Sequence, residues 1–120
     1  MYNKRQIGKK QEELAKIYLQ DSGYEIIASN YYSRFGEIDI IARDDNYLVF
    51  VEVKYRSNCQ YGYPEEAITY YKMKSIIKTA NWYLLRHGIS ENTPCRFDVV
   101  TIFGEEVSVH QDAFTINDCY

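Results

Sequence analysis

The sequence predicts an α/β domain, a mixed β-sheet flanked by helices, with its elements in the order α-β-β-β-α-β-β. Two segments have apolar residues at helical spacing, and two short runs rich in Ile and Val flank the turn-forming residues Asp44-Asp45-Asn46. The 120 residues contain no internal repeat and no Pro/Gly/Ser-rich linker. This length fits one domain, residues 1–120, with a core of its own.

Both predicted helices are amphipathic. The first runs from about Lys4 to Gln20 and stops near Gly23, since glycine readily adopts the conformation that follows a helix. Its expected core face contains Ile7, Leu14, Ile17 and Tyr18. The second runs from about Thr69 to His87 and stops at Gly88. Its expected core face contains Met73, Ile76, Ile77, Ala80 and Leu84.

Five strands are expected, because short apolar runs are separated by turn-forming residues. They cover about Tyr24 to Tyr31, Glu37 to Arg43, Tyr47 to Lys54, Arg96 to Phe103 and Glu106 to His110. A turn at Ser33 to Gly36 joins the first two strands, and Gly104-Glu105 joins the last two. The segment from Arg56 to Tyr63 is expected to be a loop, and Pro64 is suited to opening a short helical turn.

The two middle strands form a predicted hairpin whose register follows from its turn. A turn centred on Asp45-Asn46 gives one face that is apolar throughout, as a core face should be. This face consists of Ile38, Ile40 and Ala42 opposite Val53, Val51 and Val49. On the other face Asp39 lies opposite Glu52, and Glu37 lies opposite Lys54.

Two carboxylates that lie opposite each other have Cβ atoms about 5 Å apart and repel unless one is protonated or a cation lies between them. Asp39 and Glu52 are in this position, and Lys54 leaves the same strand face two residues later. The remaining explanation, a register shifted by one residue, would break the uniform apolar face of the hairpin. Carboxylate oxygens are the ligands that Mg²⁺ and Mn²⁺ prefer. The trio therefore suits metal-dependent hydrolysis of a phosphodiester, with Lys54 orienting water and stabilising charge. The competing interpretation is a surface salt bridge of Lys54 with Glu52 or Glu37.

Glu13 is a further candidate ligand of the metal. On a helical wheel it borders the expected core face of the first helix, beside Ile17, whereas Glu12 is expected to point to solvent. From this position Glu13 could reach over the sheet toward the carboxylate pair. Its alternative role is that of an ordinary surface carboxylate, paired with Lys9 or Lys16 at helical spacing.

Five longer stretches of the chain are distinctive in this order: GKKQEELAKIYL, RFGEIDIIARD, LVFVEVKYRS, YPEEAITYYKMKSI and CRFDVVTI. Together they resemble the YraN-like family of uncharacterised bacterial proteins, from Lys4 to about Phe103. That family is similar to archaeal Holliday-junction resolvases and to the PD-(D/E)xK nuclease superfamily. The resemblance implies a restriction-endonuclease-like fold and, as nuclease site residues, Glu13, Asp39, Glu52 and Lys54. This sequence departs from the motif at Ile38, where the superfamily name has proline.

A nucleic-acid partner needs a surface that attracts phosphates, which the net charge of −3 does not suggest. The basic residues are segregated, however. Residues 67–90 contain Lys or Arg and no acid, whereas residues 104–120 contain acids and no Lys or Arg. A local basic face counts for more than the net charge, although it is also typical of a solvated helix surface. The expected contacts to nucleic acid, with DNA as the expected type, are Arg34, Arg56, Lys72 and Lys74.

Other features bound the range of functions. No apolar run is long enough to span a bilayer, and the first residues lack the apolar core of a signal peptide, so a cytoplasmic protein is expected. The three cysteines have no metal-ligand or redox spacing. The 13 tyrosines fit packing, a homodimer interface or stacking on bases. A non-catalytic nucleic-acid-binding protein and a protein-interaction module are the alternatives to a nuclease.

Overall fold

The structure, a computed structural model, describes residues 4–56 and 68–116, with only the backbone for residues 4–7 and 56. Helix α1 covers Lys4–Asp21 and helix α2 covers Tyr70–Arg86. The strands are β1 (Glu25–Ser33), β2 (Gly36–Asp44), β3 (Tyr47–Arg56), β4 (Cys95–Phe103) and β5 (Glu106–Phe114). The predicted order α-β-β-β-α-β-β is confirmed for the described residues. The loop expected at 57–63 and the turn expected at Pro64 lie outside them.

The described strands form one sheet in the order β1-β2-β3-β4-β5. Neighbouring strands are antiparallel except β3 and β4, which run parallel. Parallel neighbours need a crossover connection, and α2 lies within this one. The crossover brings α2 across one face of the sheet, while α1 lies against the other face. The mixed, helix-flanked sheet predicted from the sequence is therefore confirmed.

The β2–β3 hairpin has the predicted register over its paired length. Ile40 lies opposite Val51, and Ala42 lies opposite Val49. Asp45 lies in the turn with φ of 53°, the left-handed backbone conformation that Asp tolerates better than most residues. The apolar alternation and the turn chemistry thus agree on a single pairing of the two strands.

The sheet is buried on both faces. Toward α2 the buried residues include Ile41, Leu48, Phe50, Ile76, Ile77, Ala80, Tyr83 and Val99. Toward α1 they include Ala15, Leu19, Ile40, Ala42, Val49, Val51, Val100 and Ile102. Full burial of a Val, Leu, Ile or Phe side chain stabilises a fold by about 1.5–3 kcal/mol, so contact with the sheet holds both helices in place. Neither described helix is long and apolar enough to cross a membrane.

The uninterrupted apolar face predicted for the hairpin is wrong at one position, Ile38. The sequence predicts Ile38 beside Ile40, but it packs in the cluster on the α2 side, with Ile41 and Phe50. Pairing of β2 with β3 ends at Ile40, and the neighbouring Asp39 has left the ladder. Because the alternation of side chains is interrupted there, Ile38 and Ile40 lie on opposite faces of the sheet.

Helix α1 is rotated relative to the prediction. Ala15 and Leu19 are fully buried, whereas Leu14, Ile17 and Tyr18 are 37%, 54% and 37% exposed. The prediction followed the largest apolar residues. The sheet face beneath α1 is already filled by Val and Ile side chains, so a small residue at the contact lets the helix backbone approach it. The rotation decides which acidic side chain of α1 is turned toward the sheet.

Both edge strands contain an irregularity. In β1 the pairing with β2 shifts between Ile26 and Ala28, and Asn30 has φ of 52°. The pairing of β4 with β5 shifts at Asp98, and Asp112 has φ of 53°. The backbone N–H of Asp112 donates a hydrogen bond of 2.9 Å to Asp98 Oδ1, which holds the irregular part of β5 in place.

Asp98 is fully buried, and its carboxylate is met by several donors. Arg96 donates from Nε to Oδ1 and from Nη2 to Oδ2, each at 2.9 Å, and the Tyr24 hydroxyl donates to Oδ2 at 2.7 Å. Arg96 Nη2 also lies 2.8 Å from Asp44 Oδ2, next to the β2–β3 turn. Burial and the hydrogen bond to Asp98 raise the pKa of Tyr24 to about 12. These bonds give Asp98 a structural role.

Candidate active site

The predicted carboxylate pair lies where β2 and β3 separate. Beyond Ile40 the strands no longer pair, and Asp39 Oδ2 accepts a hydrogen bond of 2.8 Å from the backbone N–H of Val53. This side-chain bond takes the place of a bond between the two strands and fixes the carboxylate at their opening. Asp39 therefore lines a cavity at the end of the paired region.

Glu52 is almost fully buried beside Asp39, with 4% of its surface exposed. Its Oε2 lies 3.4 Å from Lys72 Nζ and 3.9 Å from Lys54 Nζ, yet it receives no hydrogen bond from the residues that the structure describes. Burial first, and Asp39 second, raise the pKa of Glu52 well above its usual range, against the opposing effect of the two lysines. This buried acceptor is left for a proton, a water molecule or a metal ion to satisfy.

Two lysines from different elements converge on Glu52. Lys54 follows it on β3 and leaves the same strand face, as predicted. Lys72 comes from the first turn of α2, where the Thr69 side chain caps the helix by accepting a hydrogen bond of 3.1 Å from the backbone N–H of Lys72. From the sequence, Lys72 is expected to contact nucleic acid. The structure places its ammonium group within the candidate site.

Glu12 is the more buried of the two α1 carboxylates that line the site, so the expectation that it points to solvent is wrong. The role of Glu13 as a metal ligand stays a prediction. The Glu12 side chain is 16% exposed and accepts a hydrogen bond of 2.7 Å from Asn30 Nδ2. Burial and the nearby Asp39 raise the pKa of Glu12. Glu13 is 59% exposed and pairs with Lys16 at 3.1 Å, the surface role that was its alternative. The rotation of α1 relative to the predicted helix face turns Glu12, rather than Glu13, toward the sheet.

An open cavity of about 790 Å³ lies between α1 and the sheet and leads to Asp39. Its lining includes Lys9, Glu12, Glu13, Lys16, Asn30, Tyr32, Glu37, Asp39, Val53 and Tyr55. This volume is large enough for a ligand fragment as well as an ion. Acidic side chains outnumber basic ones in the lining, so a phosphate group would be repelled unless cations neutralise them.

The donor set fits a hard cation that uses few protein ligands. In the described ranges 4–56 and 68–116, no three His, Cys, Asp or Glu side chains lie close enough together to hold a metal ion. Mg²⁺, however, commonly binds proteins through one or two carboxylates and keeps several water ligands. Asp39 and Glu52 supply two carboxylates, and Glu52 Oε2 is buried without a hydrogen bond from the described residues. This pair is the part of the site suited to Mg²⁺ or Mn²⁺.

Two other basic residues predicted to contact nucleic acid, Arg34 and Lys74, lie beside aromatic rings. The Arg34 guanidinium carbon is 4.9 Å from the ring centroid of Phe35, and Lys74 Nζ is 5.2 Å from that of Tyr70. The side chain of Arg56 lies outside the described part of the chain. Arg34 lies between β1 and β2 and Lys74 lies on α2, and the contact of both with nucleic acid stays a prediction.

Comparison with known proteins assigns the chain to a family. The model of the uncharacterised protein family UPF0102 matches residues 11–102. The chain belongs to this family. A UPF0102 protein of Lachnoclostridium phytofermentans is 53% identical over 112 residues, which cover 93% of this chain and 95% of the relative. One of Vibrio parahaemolyticus is 42% identical over 117 residues, which cover 96% and 97%.

A UPF0102 protein of Persephonella marina is 44% identical over 110 residues, covering 92% of this chain and 94% of the relative. The family match begins within α1 and ends within β4, so it includes Glu12, Asp39, Glu52, Lys54 and Lys72. The family membership predicted from the five sequence stretches is confirmed. The name UPF0102 states no activity.

Proposed function

We propose that this UPF0102 protein is a metal-dependent endonuclease that hydrolyses phosphodiester bonds of DNA, including branched or otherwise structured DNA. The observation that supports this most strongly is Asp39 beside the buried, incompletely hydrogen-bonded Glu52, where β2 and β3 separate. A surface salt bridge, the competing interpretation, explains neither the burial of Glu52 nor the cavity at Asp39. The burial of Glu52 and the cavity at Asp39 support a site that receives a cation and a substrate.

Asp39 and Glu52 are the residues that would hold Mg²⁺ or Mn²⁺. When bound there, the cation supplies positive charge against the phosphate and the charge that develops during hydrolysis. Glu52 must be ionised to act as a ligand, whereas its burial favours the protonated form. Lys72, 3.4 Å from Glu52 Oε2, opposes that effect and therefore helps to keep Glu52 ready for the metal.

Lys54 is assigned to the reacting groups. Its ammonium group is 3.9 Å from Glu52 Oε2, and about a quarter of the side chain is exposed, so it can also reach a substrate. An ammonium group donates hydrogen bonds that orient an attacking water molecule. It also stabilises negative charge on the phosphoryl oxygens as that water attacks phosphorus. The role of Lys54 is thus distinct from that of Lys72, which acts through Glu52.

The test is cleavage of labelled four-way-junction, flap, duplex and single-stranded DNA in Mg²⁺ or Mn²⁺. The wild type should cut at least one of these substrates, and Asp39→Asn and Glu52→Gln should abolish the cutting. Glu105→Gln is the matched control, because it makes the same chemical change at an exposed residue between β4 and β5. Retained cutting by both site variants would refute the proposal.

A non-catalytic nucleic-acid-binding protein is the second candidate. Two lysines already lie near Glu52, and no third carboxylate completes a metal cluster among the described residues. This candidate predicts DNA binding that weakens with salt, because phosphate contacts release counterions. It also predicts no cleavage with any divalent metal. Salt-sensitive binding by a folded protein that never cuts would select it over the nuclease.

A further inference from the structure

A second surface lies on the outer side of α2, where aromatic rings and cations alternate. This basic-aromatic surface consists of Arg34, Phe35, Tyr71, Lys74, Lys78, Trp82 and Arg86. Arg34 and Lys78 lie 4.9 Å and 5.9 Å from the ring centroid of Phe35, and Arg86 lies 5.7 Å from that of Trp82. Cations within about 6 Å of a ring centroid are attracted to it, so the charges and rings form one surface.

Phe35 forms a wall between two hollows of this surface. One hollow, of about 300 Å³, is lined by Phe35, Lys78, Asn81, Trp82 and Leu85. The other, of about 220 Å³, is lined by Phe35, Tyr71, Lys74, Ser75 and Lys78. The backbone at Phe35 is tied to α2, because Ser75 Oγ donates a hydrogen bond of 2.7 Å to the Phe35 carbonyl. Two adjacent hollows with a shared aromatic wall suit two successive planar rings.

The charge of the surface indicates what occupies it. Residues 68–90 contain Lys72, Lys74, Lys78 and Arg86 and no acid, in a chain whose net charge is −3. Positive charge concentrated in this way attracts a polyanion. Rings on which bases stack, set among cations, are how proteins bind single-stranded nucleic acid without sequence preference. A duplex keeps its base faces stacked on each other and cannot use the rings in this way.

We propose that the basic-aromatic surface binds single-stranded DNA, with one base in each hollow and Phe35 between them. This inference rests on the proposed nuclease function, because α2 links the surface to the site through Lys72, which contacts Glu52. From Lys72 to Arg86 the helix rises about 21 Å. That distance equals about six stacked nucleotides of one strand. The preferred substrate therefore has a single-stranded arm next to the bond that is cut.

Trp82 is the one tryptophan of the chain, so its fluorescence reports directly on the surface. The protein is titrated in EDTA, where metal-dependent cutting cannot occur, with a thymidine strand of about ten nucleotides. Binding is followed in parallel by anisotropy of the labelled strand. The single strand should quench Trp82 and bind at least about tenfold more tightly than a duplex of the same length.

Single substitutions test whether the DNA strand binds at the basic-aromatic surface. Phe35→Ala should weaken it by about tenfold, as expected for the loss of one stacked base, and Phe35→Tyr should retain it because the ring is kept. Lys78→Gln changes an exposed residue of α2 and should lower the salt slope of binding by about 0.7, the effect of one phosphate contact. Tyr47→Ala, which removes an exposed ring outside this surface, is the control and should bind like the wild type.

Binding without quenching, equal affinity for the duplex, or unchanged binding by both Phe35→Ala and Lys78→Gln would overturn the inference. The inference would also be overturned if these variants changed the oligomeric state of the protein and not its affinity for DNA. The surface would then be a protein interface. These outcomes are separate from the nuclease test. Duplex cutting by a protein that does not bind single strands leaves the nuclease standing, whereas binding without any cutting leaves the surface standing.

Discussion

Glu52→Gln should stabilise the metal-free protein at neutral pH. Burial and the neighbouring Asp39 raise the pKa of Glu52 in the folded protein, whereas in the unfolded chain it returns to about 4.3. Between these two pKa values the folded protein keeps a proton that the unfolded chain has released. Folding stability is therefore fully present below the lower value and is lost as pH rises toward the higher one. Gln resembles the protonated carboxyl group and has no proton to lose.

The magnitude follows from this proton difference. One proton bound more tightly by the folded state costs about 1.4 kcal/mol of unfolding free energy per pH unit. From about pH 5 to about pH 7, the wild type should therefore lose up to about 3 kcal/mol through Glu52. Lys72 and Lys54 oppose the rise in the pKa of Glu52, which keeps this loss below its upper limit. A net advantage of about 1–2 kcal/mol near pH 7 is expected for the variant.

The assay is urea unfolding, followed by circular dichroism in EDTA at a series of pH values. The difference in unfolding free energy between Glu52→Gln and the wild type should grow with pH, and the control Glu105→Gln should show no such trend. Mg²⁺ at neutral pH should then stabilise the wild type and leave Glu52→Gln unchanged, because a ligand stabilises only the state that binds it. Parallel pH profiles for Glu52→Gln and the wild type would refute the reasoning.

The rotation of α1 separates two neighbouring carboxylates: Glu12→Gln should reduce metal-dependent cleavage, whereas Glu13→Gln should cut like the wild type, and the reverse order would contradict the assigned helix face. Asp98→Ala removes one of the two carboxylates that Arg96 contacts, together with the buried acceptor of Tyr24 and of the Asp112 N–H, and should cost about 3–5 kcal/mol in urea unfolding. A loss below about 1 kcal/mol would mean that this pair behaves like an exposed one. Gly36→Ala adds a Cβ that overlaps Ser75 Oγ at φ of 144° and should cost about 2–3 kcal/mol in thermal unfolding. An unchanged melting temperature would show that this turn relaxes freely.

The hairpin could be predicted because its register depends on residues that are close together in the sequence. Ile and Val alternate on both sides of a tight turn, so the pairing from Asp44 opposite Tyr47 to Ile40 opposite Val51 follows from counting residues. The break at Ile38 could not be predicted in this way. It depends on the Asp39 side chain taking the backbone N–H of Val53, a competition between a side chain and the strand ladder.

The buried face of α1 could not be predicted from the size of its apolar residues. Leu14 and Ile17 are larger than Ala15, so a helical wheel weighted by hydrophobicity selects the wrong face. Close packing on a sheet rewards a small residue at the point of nearest approach. The spacing of Glu12, Ala15 and Leu19 on one helical face was the signal available in the sequence for the acidic residue that faces the site.

Contacts between segments that are distant in the sequence could not be predicted from local sequence patterns. Lys72 reaches Glu52 because α2 lies in the crossover between the parallel strands β3 and β4. A pattern read along the chain identifies Lys72 as basic and helical, but the partner of its ammonium group depends on how that crossover packs. Asn30, which holds Glu12 at 2.7 Å, was missed for the same reason.

The irregular backbone of the two edge strands bears on how copies of this protein behave at high concentration. An unpaired sheet edge invites a strand from another molecule. At Asn30 in β1 and Asp112 in β5, left-handed backbone with φ of 52° and 53° turns N–H and C=O groups out of the line that an added strand needs. Sheet growth from molecule to molecule is thereby limited to short stretches. Straightening either edge should show first as aggregation on storage, before any change in the folded protein itself.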